Sequence, residues 1–311
     1  MFDIALSTLA PIFFIILLGW GLRGWHLLPE GFFEGLNSLV FYIGLPAFLF
    51  LRISSAVLRG GPAMRIFWVI LGATFFVVLI AYSAARFMKL GSAGRGAFVQ
   101  ASLRGNLAYI GLPVIYYSLN PQGPMSAEGI ETLAVLALAP TIPVYNILCV
   151  FILSHGSAGG SALLPSLKKI SVNPLIISSV LGVIVSFAGI KLPEIAVRTL
   201  NPIADMALPL ALLSIGASFS GRAAFNRFAP VMTAAVLKVI VAPAAGLIIA
   251  LLFAVPEAET RIALIFLACP AAASYVMAEQ LGADKDIAGG AVVASTLLSF
   301  LSLAAIISFL A

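Results

Sequence analysis

Apolar residues in this chain come in ten long runs, at about 4–22, 33–52, 66–87, 96–118, 129–153, 173–190, 197–218, 229–254, 261–282 and 287–310. A helix needs roughly 20 apolar residues to cross the hydrocarbon core of a bilayer, and the runs match that length. The pattern predicts an all-α membrane protein with ten transmembrane helices. The longest connection, Ser154 to Val172, contains Gly156, Gly159, Gly160, Lys168 and Lys169 and reads as a flexible basic linker. It divides one membrane domain into a first five-helix repeat (1–153), a linker (154–172) and a second five-helix repeat (173–311). Five is odd, so the repeats cross the membrane with opposite polarity.

Composition narrows the class. Of the 311 residues 62% are hydrophobic and 9% charged, against about 25% charged in a soluble domain. That excludes a water-soluble fold and leaves no room for an added soluble domain. Met1 to Trp20 lacks a basic leader and a cleavage motif, which predicts a retained first span. The net charge of +5 is scattered over many loops with no aromatic-laced basic patch, so nucleic acid is not an expected partner. Nine basic residues fall on the face away from the termini and six on the termini's face. The positive-inside rule then puts both termini outside and the linker in the cytoplasm, in a plasma membrane that for a bacterium is the inner one.

Candidate chemistry outside the spans is sparse. Cys149 and Cys269 lie far apart inside apolar runs and imply neither a disulfide framework nor a metal site. His26 and His155 read as solvated loop residues, and Trp20, Trp25 and Trp68 as interfacial anchors. No phosphate loop, metal cluster or nucleophile elbow occurs, so no cofactor and no enzyme activity is expected.

The spans carry more. The second span of each half has an Asn and a Leu-Pro, Asn37 with Leu45-Pro46 and Asn201 with Leu208-Pro209. The fourth span of each half has its own proline, Pro113 and Pro270, followed by Tyr116 and Tyr275. A mid-span proline removes one backbone hydrogen bond and crowds the preceding turn, so the helix kinks or splits. Interrupted helices at matching places in two inverted halves point to a transporter's midplane site. The new helix starts present unpaired N–H groups, and two meeting from opposite sides form a place for an anion. Asn106, seven residues before Pro113, adds amide hydrogen bonds, and Gly111 permits close backbone approach.

Three ionisable residues fall near mid-membrane: Arg104, Asp205 and Lys238. Together they sum to +1, which favours a carboxylate ligand over a cation. Three roles remain open for them. Asp205 pairs with Lys238 or Arg104 to lock helices, the long basic side chains snorkel to the cytoplasmic interface, or they reach the substrate. Glu279, late in the ninth span, reads as interfacial.

Residues 104–113, Arg-Gly-Asn-Leu-Ala-Tyr-Ile-Gly-Leu-Pro, resemble the fourth-helix motif of the auxin efflux carrier family. Cys269-Pro270-Ala271-Ala272-Ala273-Ser274-Tyr275 is similar to that family's ninth-helix break, residues 208–218 to its seventh helix, and Lys238 with Pro243 to its eighth. The resemblance implies crossed, broken fourth and ninth helices in a fold like that of sodium/bile-acid symporters and sodium/proton antiporters, divided into a scaffold and a mobile part. It implies a homodimer carrying a small organic anion, such as malonate, malate or an auxin-like acid, with proton or sodium coupling. The anion site it implies comprises Asn106, Gly111, Pro113, Pro270, Ala271, Ser274, Tyr275 and Arg104. Plant members carry an Asn about twelve residues after the ninth-helix proline, where this chain has Gly282, which argues against an indole acid. The short linker favours a prokaryotic-type permease. Alternatives are a sodium-coupled symporter, for which Ser102 and Ser274 are candidate ligands, and a non-transporting scaffold or channel.

Overall fold

The computed structural model describes residues 2–25, 28–29, 31–55, 61–112, 114–115, 127–157, 172–218, 227–270 and 274–309. The regular elements are helical: α1 (Phe2–Gly24), α2 (Phe32–Leu39), π1 (Val40–Gly44), α3 (Leu45–Ser54), α4 (Pro62–Phe87), α5 (Ser92–Leu103), π2 (Leu107–Gly111) and α6 (Ala127–Ser157). The chain continues through α7 (Pro174–Phe187), α8 (Glu194–Ser218), α9 (Phe228–Val236), π3 (Leu237–Val241), α10 (Ala242–Leu252), α11 (Glu257–Ala268), α12 (Ser274–Gln280) and α13 (Lys285–Phe309). Among the described residues six helical stretches are long and apolar enough to cross a membrane, counting α2–π1–α3 and α9–π3–α10 as one each. Large apolar side chains on their outer faces, among them Phe75, Leu79, Ile240, Leu251 and Leu301, are exposed, as a lipid solvent requires.

Local rules account for many of the boundaries. Asn173 caps α7 by accepting from the Leu175 N–H at 2.9 Å, and Pro174 occupies the first helical position, where no N–H is needed. Asp284 accepts from the N–H groups of Asp286 and Ile287, both at 3.1 Å, opening α13. All three π stretches end two residues before a proline in the sequence, namely Pro46, Pro113 and Pro243. A proline ring collides with the carbonyl one turn back. At π1 and π3 the wider turn swings that carbonyl aside, so the helix runs on through Pro46 and Pro243.

A kink or split is expected at the Leu-Pro pairs, and neither pair splits its helix. Pro46 is absorbed by π1, and Pro209 lies within the uninterrupted α8. His155 is corrected, from a loop to the last turn of α6. The linker expected from 154 starts only after Ser157, and residues 158–171 lie outside the described residues.

Packing sorts the helices into two bodies that cut across the sequence halves. α1, α2, π1, α3, α7 and α8 pack chiefly with one another, and α4, α5, α6 and α9 to α13 with one another. In the first body α1 and α8 cross at glycines. A Cβ on Gly19 would stand 2.0 Å from the Leu213 carbonyl oxygen, and one on Gly216 would stand 1.9 Å from that of Ile16. Small residues let membrane helices approach this closely. The second body is stapled at the start of α4 and α11, where Arg65 donates from Nε to Glu259 Oε2 at 2.6 Å.

Candidate functional site

α5 and α11 stop short in mid-body, and the chain leaves both in the same way. Each is 12 residues long. Arg104, after α5, has φ −71° and ψ 133°; Cys269, after α11, has φ −67° and ψ 132°. By this geometry Gly105 stands opposite Pro270. A break in the first half therefore comes before Asn106, at a Gly-Asn pair that the proline-to-proline match does not mark. Asn106 starts the next helical stretch, its carbonyl oxygen accepting from the N–H groups of Ile110 at 3.2 Å and Gly111 at 3.3 Å. Asparagine favours such starts, so a Gly-Asn pair does here what a proline does in the second half.

The two breaks touch. The Asn106 N–H donates to the Pro270 carbonyl oxygen at 2.7 Å. A Cβ on Gly105 would lie 3.0 Å from the Cys269 carbonyl oxygen and 3.1 Å from Lys238 Nζ, and one on Gly111 would lie 2.6 Å from the Phe266 ring. Both glycines are thus filled in by the crossing partner.

Lys238, in π3, is fully buried, and its Nζ donates to the Leu267 carbonyl oxygen at 2.7 Å. That oxygen belongs to the last turn of α11, where carbonyls lack helical partners and negative partial charge accumulates. Arg104 is 9% exposed, and its Nη1 donates to the Met277 sulfur. The Cys149 thiol faces the same guanidinium, and Cys269 lies within the field of Lys238.

Other expected residues divide. Ser274 is fully buried with no partner for its hydroxyl among the described residues, as is the Gln100 side-chain oxygen, while Gln100 Nε2 reaches the Ser274 carbonyl at 3.5 Å. Tyr275, 1% exposed, donates to Glu279 at 3.4 Å. Ser102, a candidate sodium ligand, spends its hydroxyl on the Phe98 carbonyl at 2.8 Å. Pro113 and Ala271 lie outside the described residues. Asp205 does not join the group: it is exposed on α8, in the other body, and no ion pair among the described residues links it to Arg104 or Lys238. Depth along a helix is readable from sequence, but facing is not. The crossing thus holds two cationic side chains without the expected carboxylate.

Sequence reasoning missed the partners of these cations. One signal was present: a helix ending at Cys269 leaves buried carbonyls that need a donor, and Lys238 is one of the two cations placed near mid-span by sequence. Nothing in the sequence marked Met277.

The chain's similarity to known proteins runs its full length. It is 24% identical to an uncharacterized transporter of Methanocaldococcus jannaschii, over 97% of both chains. It is 24% identical to a protein of Rhizobium meliloti named a putative malonate transporter, over 93% of this chain and 90% of the relative. An uncharacterized transporter of Methanothermobacter thermautotrophicus is 25% identical over 96% and 95% of the two chains. A family profile described as membrane transport protein matches residues 4–307. The chain is an integral membrane protein and belongs to this membrane transport family, the auxin efflux carrier-like transporters its motifs resemble.

Proposed function

We propose that this protein is a secondary transporter that carries a small dicarboxylate of the malonate class across the membrane by alternating access. The observation that carries the reading is the pair Arg104 and Lys238, buried where two broken helices cross, with no carboxylate bound to either among the described residues. Buried cations call for an anion, because an uncompensated charge in a membrane interior is costly. A substrate carboxylate supplies it. Arg104 attracts the anion, Asn106 and the Ser274 hydroxyl offer hydrogen bonds, Gly111 shapes one wall, and Pro270 and Tyr275 shape the other; Pro113 and Ala271 join the site by the family resemblance of their segments. Lys238 holds the end of α11 and adds long-range attraction. The relative named for malonate directs the choice of first substrate.

The same reading places ten spans in two inverted repeats, residues 1–153 and 173–311, joined by a cytoplasmic linker at 154–172, with both termini outside a plasma membrane. The equal lengths of α5 and α11 and their matching exits support the repeat. α8 exposes Asn201 and Asp205. Polar groups at mid-span avoid lipid, so we place that face against a second copy in a homodimer. The first body serves as scaffold and the second as the moving part.

The test is uptake of a carboxylate panel into proteoliposomes under imposed proton, sodium and voltage gradients. Saturable malonate uptake with counterflow is expected, and Asn106→Ala abolishes it while leaving expression intact. Uptake unchanged in that variant removes Asn106 from the site, and non-saturable flux replaces the carrier with a channel.

A further inference from the structure

α12 is short, belongs to the second body, and is also where that body meets α2, π1 and α8 of the first. Its first residues, Ser274 and Tyr275, come four and five positions after Pro270, with the Ser274 carbonyl near Gln100 Nε2 of α5 and the Tyr275 ring beside Gly289 of α13. Its last, Glu279 and Gln280, hold the seam between the bodies. Asn37 Nδ2 donates to Glu279 Oε2, and Gln280 Nε2 donates to Ser38 Oγ at 3.3 Å. The Glu279 side chain is 18% exposed. Tyr275 donates to its other oxygen at 3.4 Å, so a continuous chain of hydrogen bonds runs from Tyr275 to α2.

Asn37 is 1% exposed, and its carbonyl oxygen is buried with no partner among the described residues. A buried acceptor beside a carboxyl group lacks a donor. A protonated Glu279 supplies it, whereas an ionised one only accepts. The amide therefore has a role in both states: its nitrogen donates to the carboxylate, and after a half-turn its oxygen accepts from the acid.

From this geometry we infer that Glu279 is the proton-binding group that couples a pH gradient to movement of α12 past α2. When Glu279 is ionised, separating the bodies strips a mostly buried carboxylate of its Asn37 donor, which is costly. When it is protonated, the departing group is neutral and the penalty falls. The charged groups around it fit this role. Lys285 of α13 stands 3.8 Å away, with its side chain 56% exposed, and steadies the ionised form. Asp284 is turned to Arg227 at 3.3 Å, and Asp286 follows Lys285 on α13. On α2 and π1, Glu34 and Tyr42 are exposed. On α8, Glu194 and Arg198 pair with each other at 2.6 Å and Asp205 is exposed. On α5, Arg104 is engaged with Met277.

The inference rests on the transporter reading, and the experiment separates their failures. Wild type and Glu279→Gln are reconstituted with malonate. Counterflow is measured at equal pH on both sides, and net accumulation under a gradient of about one pH unit, which drives up to about tenfold concentration per coupled proton. Glu279→Gln is expected to keep counterflow and lose pH-driven accumulation. Accumulation equal to wild type in this variant, or wild-type transport indifferent to the pH gradient, overturns the inference. Infrared difference spectra of the same proteins between about pH 4 and about pH 8 give a second readout that needs no transport. A protonated-carboxyl band present in wild type and absent in Glu279→Gln supports the proton site. Its absence from wild type overturns it. A wild type that moves no carboxylate sinks the transporter reading and leaves the proton site to be decided by that band.

Discussion

The two breaks have almost the same backbone and almost opposite chemistry. The first is made by Gly105 and Asn106 and carries its own polar groups, with Arg104 in front and the Asn106 amide behind. The second is made by Pro270, is flanked by Cys269 and Ala271, and borrows its donor from π3, where Lys238 reaches the Leu267 carbonyl. The difference teaches that an interrupted helix can be built in two ways. A proline forces the interruption and offers nothing to a ligand; an asparagine cap makes the interruption and a binding group together. A site assembled from one of each is symmetric in shape and asymmetric in chemistry.

The comparison is open to attack at three points. The largest effect is expected at the borrowed donor. Lys238→Met leaves the Leu267 carbonyl buried without its partner and removes one of two cations. A hydrogen bond from a charged group is worth about 1.5–3 kcal/mol, so the initial rate of malonate uptake should fall on the order of 10- to 100-fold. Uptake at the wild-type rate would mean that the second break needs no loan. A smaller effect follows at the crossing. Gly111→Ala puts a methyl 2.6 Å from the Phe266 ring, and overpacking of this kind costs about 1–3 kcal/mol. The thermal midpoint of the purified protein should drop, and Phe266→Leu in the same chain should recover part of the loss, a coupling that independent sites would not show. The smallest effect belongs to Asp205→Asn. Its side chain lies outside both breaks, on the face proposed to meet a second copy, so the change should cost no more than the roughly 0.5–1.5 kcal/mol of one hydrogen bond and leave uptake unaltered. A collapse of uptake would return Asp205 to the charge network that the structure takes it out of.

Much of the helical plan was legible because lipid imposes a length and a polarity on each helix, and both are written in runs of apolar residues. The breaks were legible in part. Asn106, Gly111 and Pro270 stand out as residues that break or approach a helix, and the structure sets the Asn106 N–H on the Pro270 carbonyl and Gly111 against Phe266. The position of the first break was not legible, because Pro113 is a louder sequence signal than Gly105-Asn106. The facing of Asp205 was not legible from its depth, although Asn201 and Asp205 recur at one helical turn and share an outer face. Glu279 read as interfacial, and its contact with Asn37 depends on two helices whose meeting no local pattern announces. Sequence conveys what a segment is; which segment it meets is settled by packing between distant parts of the chain.

The bond from the Asn106 N–H to the Pro270 oxygen is made entirely of main chain. Alanine scanning will pass over it, because exchanging a side chain at either end leaves the peptide groups in place. Loss of function in Asn106→Ala will therefore report the amide alone. Replacing residue 106 with proline, which has no N–H, or with an ester-forming hydroxy acid by chemical synthesis, would reach the bond itself. This contact between the two halves of the chain is thereby shielded from side-chain exchange at its own two residues, while the neighbouring Gly105 and Gly111 leave no room for a side chain.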